Sequence, residues 1–400
     1  MKSIKFEVMQ KIAKTNFKSV NLRNVSRVDT ISPPSVFVGS KLKYPNVNVG
    51  ILSPIEKEEN AWMFDAPGYW AEEDFQVGEV VKLRDNLLNS RFRSNVHSAR
   101  LNNKLVGIAK EIAIASRPVD IEIELKKKMY FGRDKDRVLI HQGLKAPLKK
   151  AKIVSNVKVD QAVDKVMNDE IKSSEGLGML YKKGFAENVL SKILSVGVLG
   201  LKKDKRMVPT RWSITATDDT ISKQILEKVR DYKWIENHEL FFGEFMGNQY
   251  LVMMFPGVWS FELFELYYPG SSWNPGTEMK ASTDDEGFYG RKTYASNCVG
   301  GYYAARLPIT RYLDEIKRQA SVLVIRLETP SYWAALGVWV VRESVKKALK
   351  KKIKFDSWEE LLEGMKKIAR IKYDFDSEFI LSRSKLLKKI KTEKTLGEWF

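Results

Sequence analysis

The chain has 400 residues, 11% of them aromatic, and 68 Lys+Arg against 50 Asp+Glu, a formal charge of +18. At roughly 100–200 residues per domain this length fits two or three domains, and the aromatic content excludes disorder as the general state. One cysteine, Cys298, excludes an intramolecular disulfide, a CxxC redox pair and a cysteine-rich zinc finger, while His97, His141 and His238 are too dispersed for a histidine zinc site.

In chain order, residues 2–18 have mixed helical periodicity. Val36-Phe-Val and Val47-Asn-Val-Gly-Ile-Leu read as two short strands joined by a Gly/Lys/Tyr-Pro loop that carries Lys41 and Lys43. Residues 101–116 form an amphipathic helix that stops ahead of Pro118, because the residue before proline disfavours the helical region. Val119-Asp-Ile-Glu-Ile-Glu-Leu alternates strictly, as a half-buried strand does. Residues 145–158 hold five lysines and no acid, Lys149 and Lys150 among them, and are expected at a domain junction or an exposed hairpin.

Residues 159–171 and 186–196 read as helices, Trp212-Ser-Ile-Thr as a short strand, and Thr217-Asp-Asp-Thr as a helix start with Thr or Asp as the cap. Two strands joined by Pro-Gly follow at residues 249–256 and 258–268, then a Gly/Tyr-rich loop at 285–298 and a helix over 300–317. Strands at 320–327 and 338–341 precede a helix from Arg342. The pattern gives an α/β or α+β fold, a mixed sheet core with packed helices, followed by a basic helical C-terminal segment.

Charge sorts the chain further. Residues 207–345 carry 14 Lys+Arg and 17 Asp+Glu, so the remainder holds a net +21. The expected organisation is an N-terminal α+β region (1–150), a basic, mainly helical connector (151–206), an aromatic-rich mixed α/β core (207–345), a basic helical tail (346–391) and a terminal peptide (392–400). The tail interleaves aliphatic and basic residues at helical spacing, with Lys351, Lys352, Lys388 and Lys389 on its solvated face. That face is either a solvated surface or, like Lys41, Lys43, Lys149 and Lys150, a contact for nucleic acid, the usual polyanion for such an excess. The opening MKSIKFEVMQKIAK is neither a signal peptide nor an anchor, and no window approaches the ~18 apolar residues a membrane span needs. The expectation is a cytoplasmic, nucleoid-associated protein with no membrane partner.

Candidate chemistry is sparse. Arg211, Asp218 and Asp219 surround an expected strand-to-helix junction, where a phosphate or a divalent metal can bind, although Asp there also serves as a plain helix cap. Glu262 and Glu265, three apart on a strand, point to opposite faces and cannot both ligate one ion. Gly300-Gly-Tyr-Tyr-Ala-Ala-Arg306 reads as tight helix packing or as a stacking surface, and Arg306 and Glu343 complete the catalytic candidates. Nucleophile elbow, Walker loop, HExxH and dinucleotide fingerprint are all absent. A dedicated metal site and a resident cofactor are therefore not assigned; Mg²⁺ or Mn²⁺ enters only if the chain is a nuclease.

The C-terminal Glu393-Lys-Thr-Leu-Gly-Glu-Trp-Phe400 places Leu396, Trp399 and Phe400 on one side of a short turn, a plug suited to an apolar pocket. It resembles the interaction peptide of the PCNA sliding clamp, Gln-x-x-aliphatic-x-x-aromatic-aromatic, with Glu393 standing where Gln is usual. Ser32-Pro-Pro-Ser-Val-Phe-Val-Gly39, Tyr44-Pro-Asn-Val-Asn-Val-Gly50, Val208-Pro-Thr-Arg-Trp-Ser-Ile-Thr-Ala-Thr-Asp-Asp219, Gly300-Gly-Tyr-Tyr-Ala-Ala-Arg306 and Gly337-Val-Trp-Val-Val-Arg-Glu343 resemble the signature blocks of the archaeal Nre DNA repair family. The resemblance implies participation in DNA damage repair and recruitment to PCNA, and the basic segments add an expectation of DNA binding. Some members begin with a four-cysteine zinc finger, which a chain with one cysteine cannot form. A metal-dependent nuclease or other phosphate-processing enzyme, and a nucleotide-binding or NAD-handling protein, stand as alternatives.

Overall fold

The computed structural model describes residues 5, 7–10, 26–126 and 143–392. The helix expected over 2–18 therefore lies largely outside the described residues, as do Glu393, Leu396, Trp399 and Phe400. The chain divides into two compact units, 1–221 and 222–400. Each is a mixed sheet with packed helices, which is the expected fold class.

The first unit holds β1 (Arg27–Ser32), β2 (Val36–Val38), β3 (Asn46–Pro54), β4 (Leu87–Asn95), β5 (Val119–Leu125) and β6 (Leu144–Ile153), ordered β1-β5-β6-β4-β3-β2. Between them and after them come α1 (Pro67–Glu72), α2 (Val77–Asp85), α3 (Lys104–Ile114), α4 (Gln161–Asn168), α5 (Ser173–Lys182) and α6 (Glu187–Ser195). The alternation in β5 buries Val119, Ile121, Ile123 and Leu125 and leaves its acids outward. Asn103 caps α3 by accepting from the Val106 amide.

Two sequence expectations fail here. Residues 145–158 are not a junction or hairpin: β6 lies inside the sheet, between β5 and β4, with Ala146, Leu148 and Ala151 buried and its lysines turned away. The lysine density concealed a period-2 pattern. Nor is Trp212-Ser-Ile-Thr a strand. Residues 210–229 form one helix, α7 (Thr210–Val229), and the division between the two units falls within it. Pro209 precedes its first residue and accepts from the Trp212 and Ser213 amides. The Ser213 and Thr215 hydroxyls bond back to the carbonyls of Thr210 and Arg211, which satisfies them within the helix; tertiary context overrides the strand propensity of this stretch.

The second unit is built on β7 (His238–Phe245), β8 (Asn248–Phe255), β9 (Ser260–Tyr267), β10 (Lys280–Glu286), β11 (Ser321–Glu328) and β12 (Lys352–Phe355), ordered β10-β9-β11-β8-β7-β12. Only β9 and β11 run parallel; their neighbours are antiparallel. One face packs on α8 (Gly300–Ile316) and α9 (Trp339–Ala348) through Tyr250, Val252, Leu263, Val324 and Tyr302. The other, with Leu251, Phe264 and Ile325, packs on α10 (Trp358–Tyr373), α11 (Glu378–Arg383) and α12 (Lys385–Thr392). The expected strand at 338–341 is instead the start of α9, since Val340, Val341 and Val345 recur at helical spacing on a buried side. Residues 346–391 thus supply an edge strand and a full helical layer of this unit. Among the described residues no helix is long and apolar enough to cross a membrane.

Candidate nucleic-acid interface

In the first unit β3 and β4 pair antiparallel with Asn46 opposite Asn95, Asn48 opposite Arg93 and Gly50 opposite Arg91. Alternation then puts Asn46, Asn48, Asn89, Arg91, Arg93 and Asn95 on one face, while Val47, Val49, Ile51, Leu88 and Phe92 fill the core on the other. β6 joins β4 in parallel with Lys145 opposite Asn89. A Cβ on Gly50 would run into the Asn89 side chain, so only glycine leaves this polar face its close approach.

At the open end of that face lies a cleft of about 480 Å³ lined by Leu42, Lys43, Asn46, Arg93, Ser94 and Asn95. The lining holds two cations and no acid. Its rim is pinned: Gly39 N–H donates to the Asn48 carbonyl (2.8 Å), Asn46 N–H to that of Lys43 (3.0 Å), and Val96 N–H to that of Pro45 (3.0 Å). The Asn95 side-chain oxygen accepts from the His97 amide, which commits it and leaves N–H donors to offer. Burial pulls the Arg91 guanidinium below its ordinary value. Burial, then the neighbouring Arg91 and Lys41 cations, push the Lys145 ammonium down. Cations crowded in this way gain from an arriving anion.

The expected nucleic-acid lysines separate. Lys43 lines the cleft, and Lys41 acts on Lys145 beside it. Lys149 forms an ion pair with Glu124 at 2.6 Å, and Lys150 stands opposite the same glutamate. Lys352 bonds Glu239 and the Tyr312 hydroxyl, both at 3.1 Å. Lys351 sits 5.9 Å from the Phe242 ring centroid, and Lys388 and Lys389 are exposed on α12. Arg91 and Arg93 escaped sequence reasoning, although the polar every-second-residue pattern of Leu-Leu-Asn-Ser-Arg-Phe-Arg-Ser-Asn was there to be read.

The catalytic candidates are not assembled. Arg211 is exposed near the start of α7 and Asp218 is buried seven residues on, about 10 Å along the axis, with Asp219 beside it. Both acids are mid-helix, not at a cap. Arg306 is buried: it bonds Glu286 at 2.7 Å and Ser222 at 3.0 Å and lies over the Tyr302 and Tyr303 rings. Glu343 pairs with Lys346 one turn along α9. Glu262 and Glu265 do point to opposite faces. Glu262 accepts from Ser384 Oγ and the Lys385 and Leu386 amides, while Glu265 bonds Arg326 at 2.5 Å and Tyr267 at 2.8 Å. Among the described residues no three His, Cys, Asp or Glu side chains converge to hold a metal.

The family model for the archaeal Nre N-terminal region matches residues 2–274, and that for the archaeal Nre C-terminal region matches 286–399. The chain belongs to the archaeal Nre family. This Nre chain is 39% identical over 321 residues to the DNA repair protein NreA of Haloferax volcanii, covering 79% of the chain and 76% of the relative. It is 39% identical over 338 residues to NreA of Archaeoglobus fulgidus (84% of each) and 36% identical over 334 to NreB of the same organism (83% and 82%). Both are also named DNA repair proteins. No solved structure matches the Nre chain.

Proposed function

We propose that this chain is a DNA repair protein whose first unit grips the sugar–phosphate backbone of DNA in the cleft between Lys43 and Arg93, and whose residues 393–400 recruit it to the PCNA sliding clamp. The acid-free cleft lining carries the first half of the reading, together with the repair role in the relatives' names. The second half rests on Leu396, Trp399 and Phe400, which match the clamp peptide at three of four positions. A tether of this kind raises local concentration at DNA, so the cleft need only bind weakly.

Fluorescence anisotropy of a labelled DNA duplex and single strand tests the cleft. Lys43→Ala and Arg93→Ala should each weaken binding several-fold. Each should also flatten the plot of log affinity against log salt, by about 0.7–0.9 for every phosphate that the variant no longer neutralises. Wild-type affinity that does not vary with salt would overturn the reading.

A further inference from the structure

A second binding site follows from the second unit, and it rests on the repair reading only for the source of its ligand. β9 and β11 are neighbours and parallel, yet the chain leaves them in opposite directions. From β9 it turns to β10 at one edge; from β11 it crosses through α9 to β12 at the other. The carboxyl ends of adjacent parallel strands with diverging connections are the usual ligand position in open α/β sheets.

The two loops that flank this end, residues 268–279 and 329–338, each present an indole to solvent. Trp273 is 42% and Trp333 54% exposed, and among the described residues neither stacks on another ring. Their backbones are held from below. Glu328, fully buried, accepts from Ser272 Oγ (3.0 Å) and the Trp273 amide (3.1 Å), and the Ser272 amide donates to the Tyr332 carbonyl (2.9 Å). The buried Asn274 side chain donates to the Tyr267 and Glu278 carbonyls and accepts from the Gly276 amide. Arg326 ties Glu328 (2.7 Å) to Glu265 (2.5 Å) and to Asn248. From the β7–β8 turn, the Gly247 carbonyl accepts from the Thr329 amide and hydroxyl. A buried arginine with two carboxylates is a costly way to stabilise a core. Here its partner Glu328 anchors the 268–279 loop at the Ser272 hydroxyl and the Trp273 amide.

We propose that Trp273 and Trp333 form a stacking site for an unpaired nucleobase at the carboxyl ends of β9 and β11. Exposed flat rings on hydrogen-bonded loops suit a planar ligand; Lys280, exposed and opposite Tyr267, offers a cation to the adjoining phosphate. Aromatic stacking tolerates any base, so the site reads exposure of a base and not its identity.

Quenching of tryptophan fluorescence and anisotropy with three probes test this: oligothymidylate, an abasic strand of equal length, and thymidine monophosphate. Oligothymidylate should bind the wild type more tightly than the abasic strand. Trp273→Ala and Trp333→Ala should each erase about 10-fold of that advantage, with unchanged melting temperature and salt slope, and Trp273→Phe should recover part of it. Equal binding of both strands to the wild type, or an advantage untouched in both alanine variants, overturns the proposal. If neither strand binds while the monophosphate quenches the wild type and not the variants, the base site stands and single-strand binding by the cleft fails; silence from all three probes overturns the base site.

Discussion

Arg306 and Asp314 show how single charges are used in the second unit. The Arg306 guanidinium and Glu286 carboxylate are both removed from water, and Glu286 also accepts from the Trp259 indole at 3.1 Å. Breaking one partner strands the other, so Arg306→Ala should cost about 3–5 kcal/mol in urea unfolding. A catalytic role would instead appear as lost activity in a protein of normal stability. Asp314 titrates in a less buried setting. Burial works to raise its pKa, but bonds from the Tyr232 hydroxyl (2.6 Å) and the Lys317 ammonium (2.9 Å) outweigh that and hold it below the ordinary 3.8. The folded state therefore binds the proton less readily than the unfolded chain. The resulting stabilisation is present above pH 3.8 and is lost as pH falls below it through the folded value. Asp314→Asn should make the acid limb of the stability–pH curve shallower below pH 3.8, with little change in that slope at neutral pH.

Among the elements, α12 is the one most dependent on a distant residue. It has eight residues, too few to be stable alone in water. Leu386 and Leu387 bury against the sheet, and Glu262 of β9 receives the two N-terminal amides and the Ser384 hydroxyl. A carboxylate at a helix N-terminus satisfies orphan donors and the helix dipole together. Lys385 adds an ion pair to Asp285 at 2.8 Å. Glu262→Ala should destabilise the unit by about 2–4 kcal/mol, the cost of leaving buried donors unpaired together with a lost cap. Hydrogen exchange should accelerate first in residues 385–392; uniform acceleration across the sheet would show that Glu262 supports the core generally.

For the molecule as a whole, net charge is an incomplete guide to where cations line a cleft. Of the lysines that stand out in sequence, Lys43 lines the cleft, while Lys149 and Lys352 are engaged by Glu124 and Glu239; the cleft's other cation, Arg93, lies in no basic run. The clamp reading belongs at this scale too, since it concerns a partner protein. Removing Leu396–Phe400 should abolish binding to PCNA by calorimetry and leave the DNA affinity of the free protein within about two-fold, because the tether acts through effective concentration. Unchanged clamp affinity after that deletion would sink the recruitment claim.

Local pattern was enough to specify the mixed α/β class and the segments whose signal is short-range. β5 is written in strict alternation, α3 in an apolar stripe, and β8 and β9 in apolar runs broken by Pro-Gly. The opposite facing of Glu262 and Glu265 was legible in the same way, since strand geometry alone requires it. The remainder was set by tertiary packing. α7 forms despite the strand propensity of Trp212-Ser-Ile-Thr, and β6, for all its lysines, lies between β5 and β4 with Ala146, Leu148 and Ala151 buried. The cleft needs Asn46 beside Asn95, nearly fifty positions apart, and the tryptophan loops need Glu328 to bind residues more than fifty positions upstream. Pairings of that separation are fixed by strand register and by where buried charges find partners, and neither is a property of any local stretch of chain.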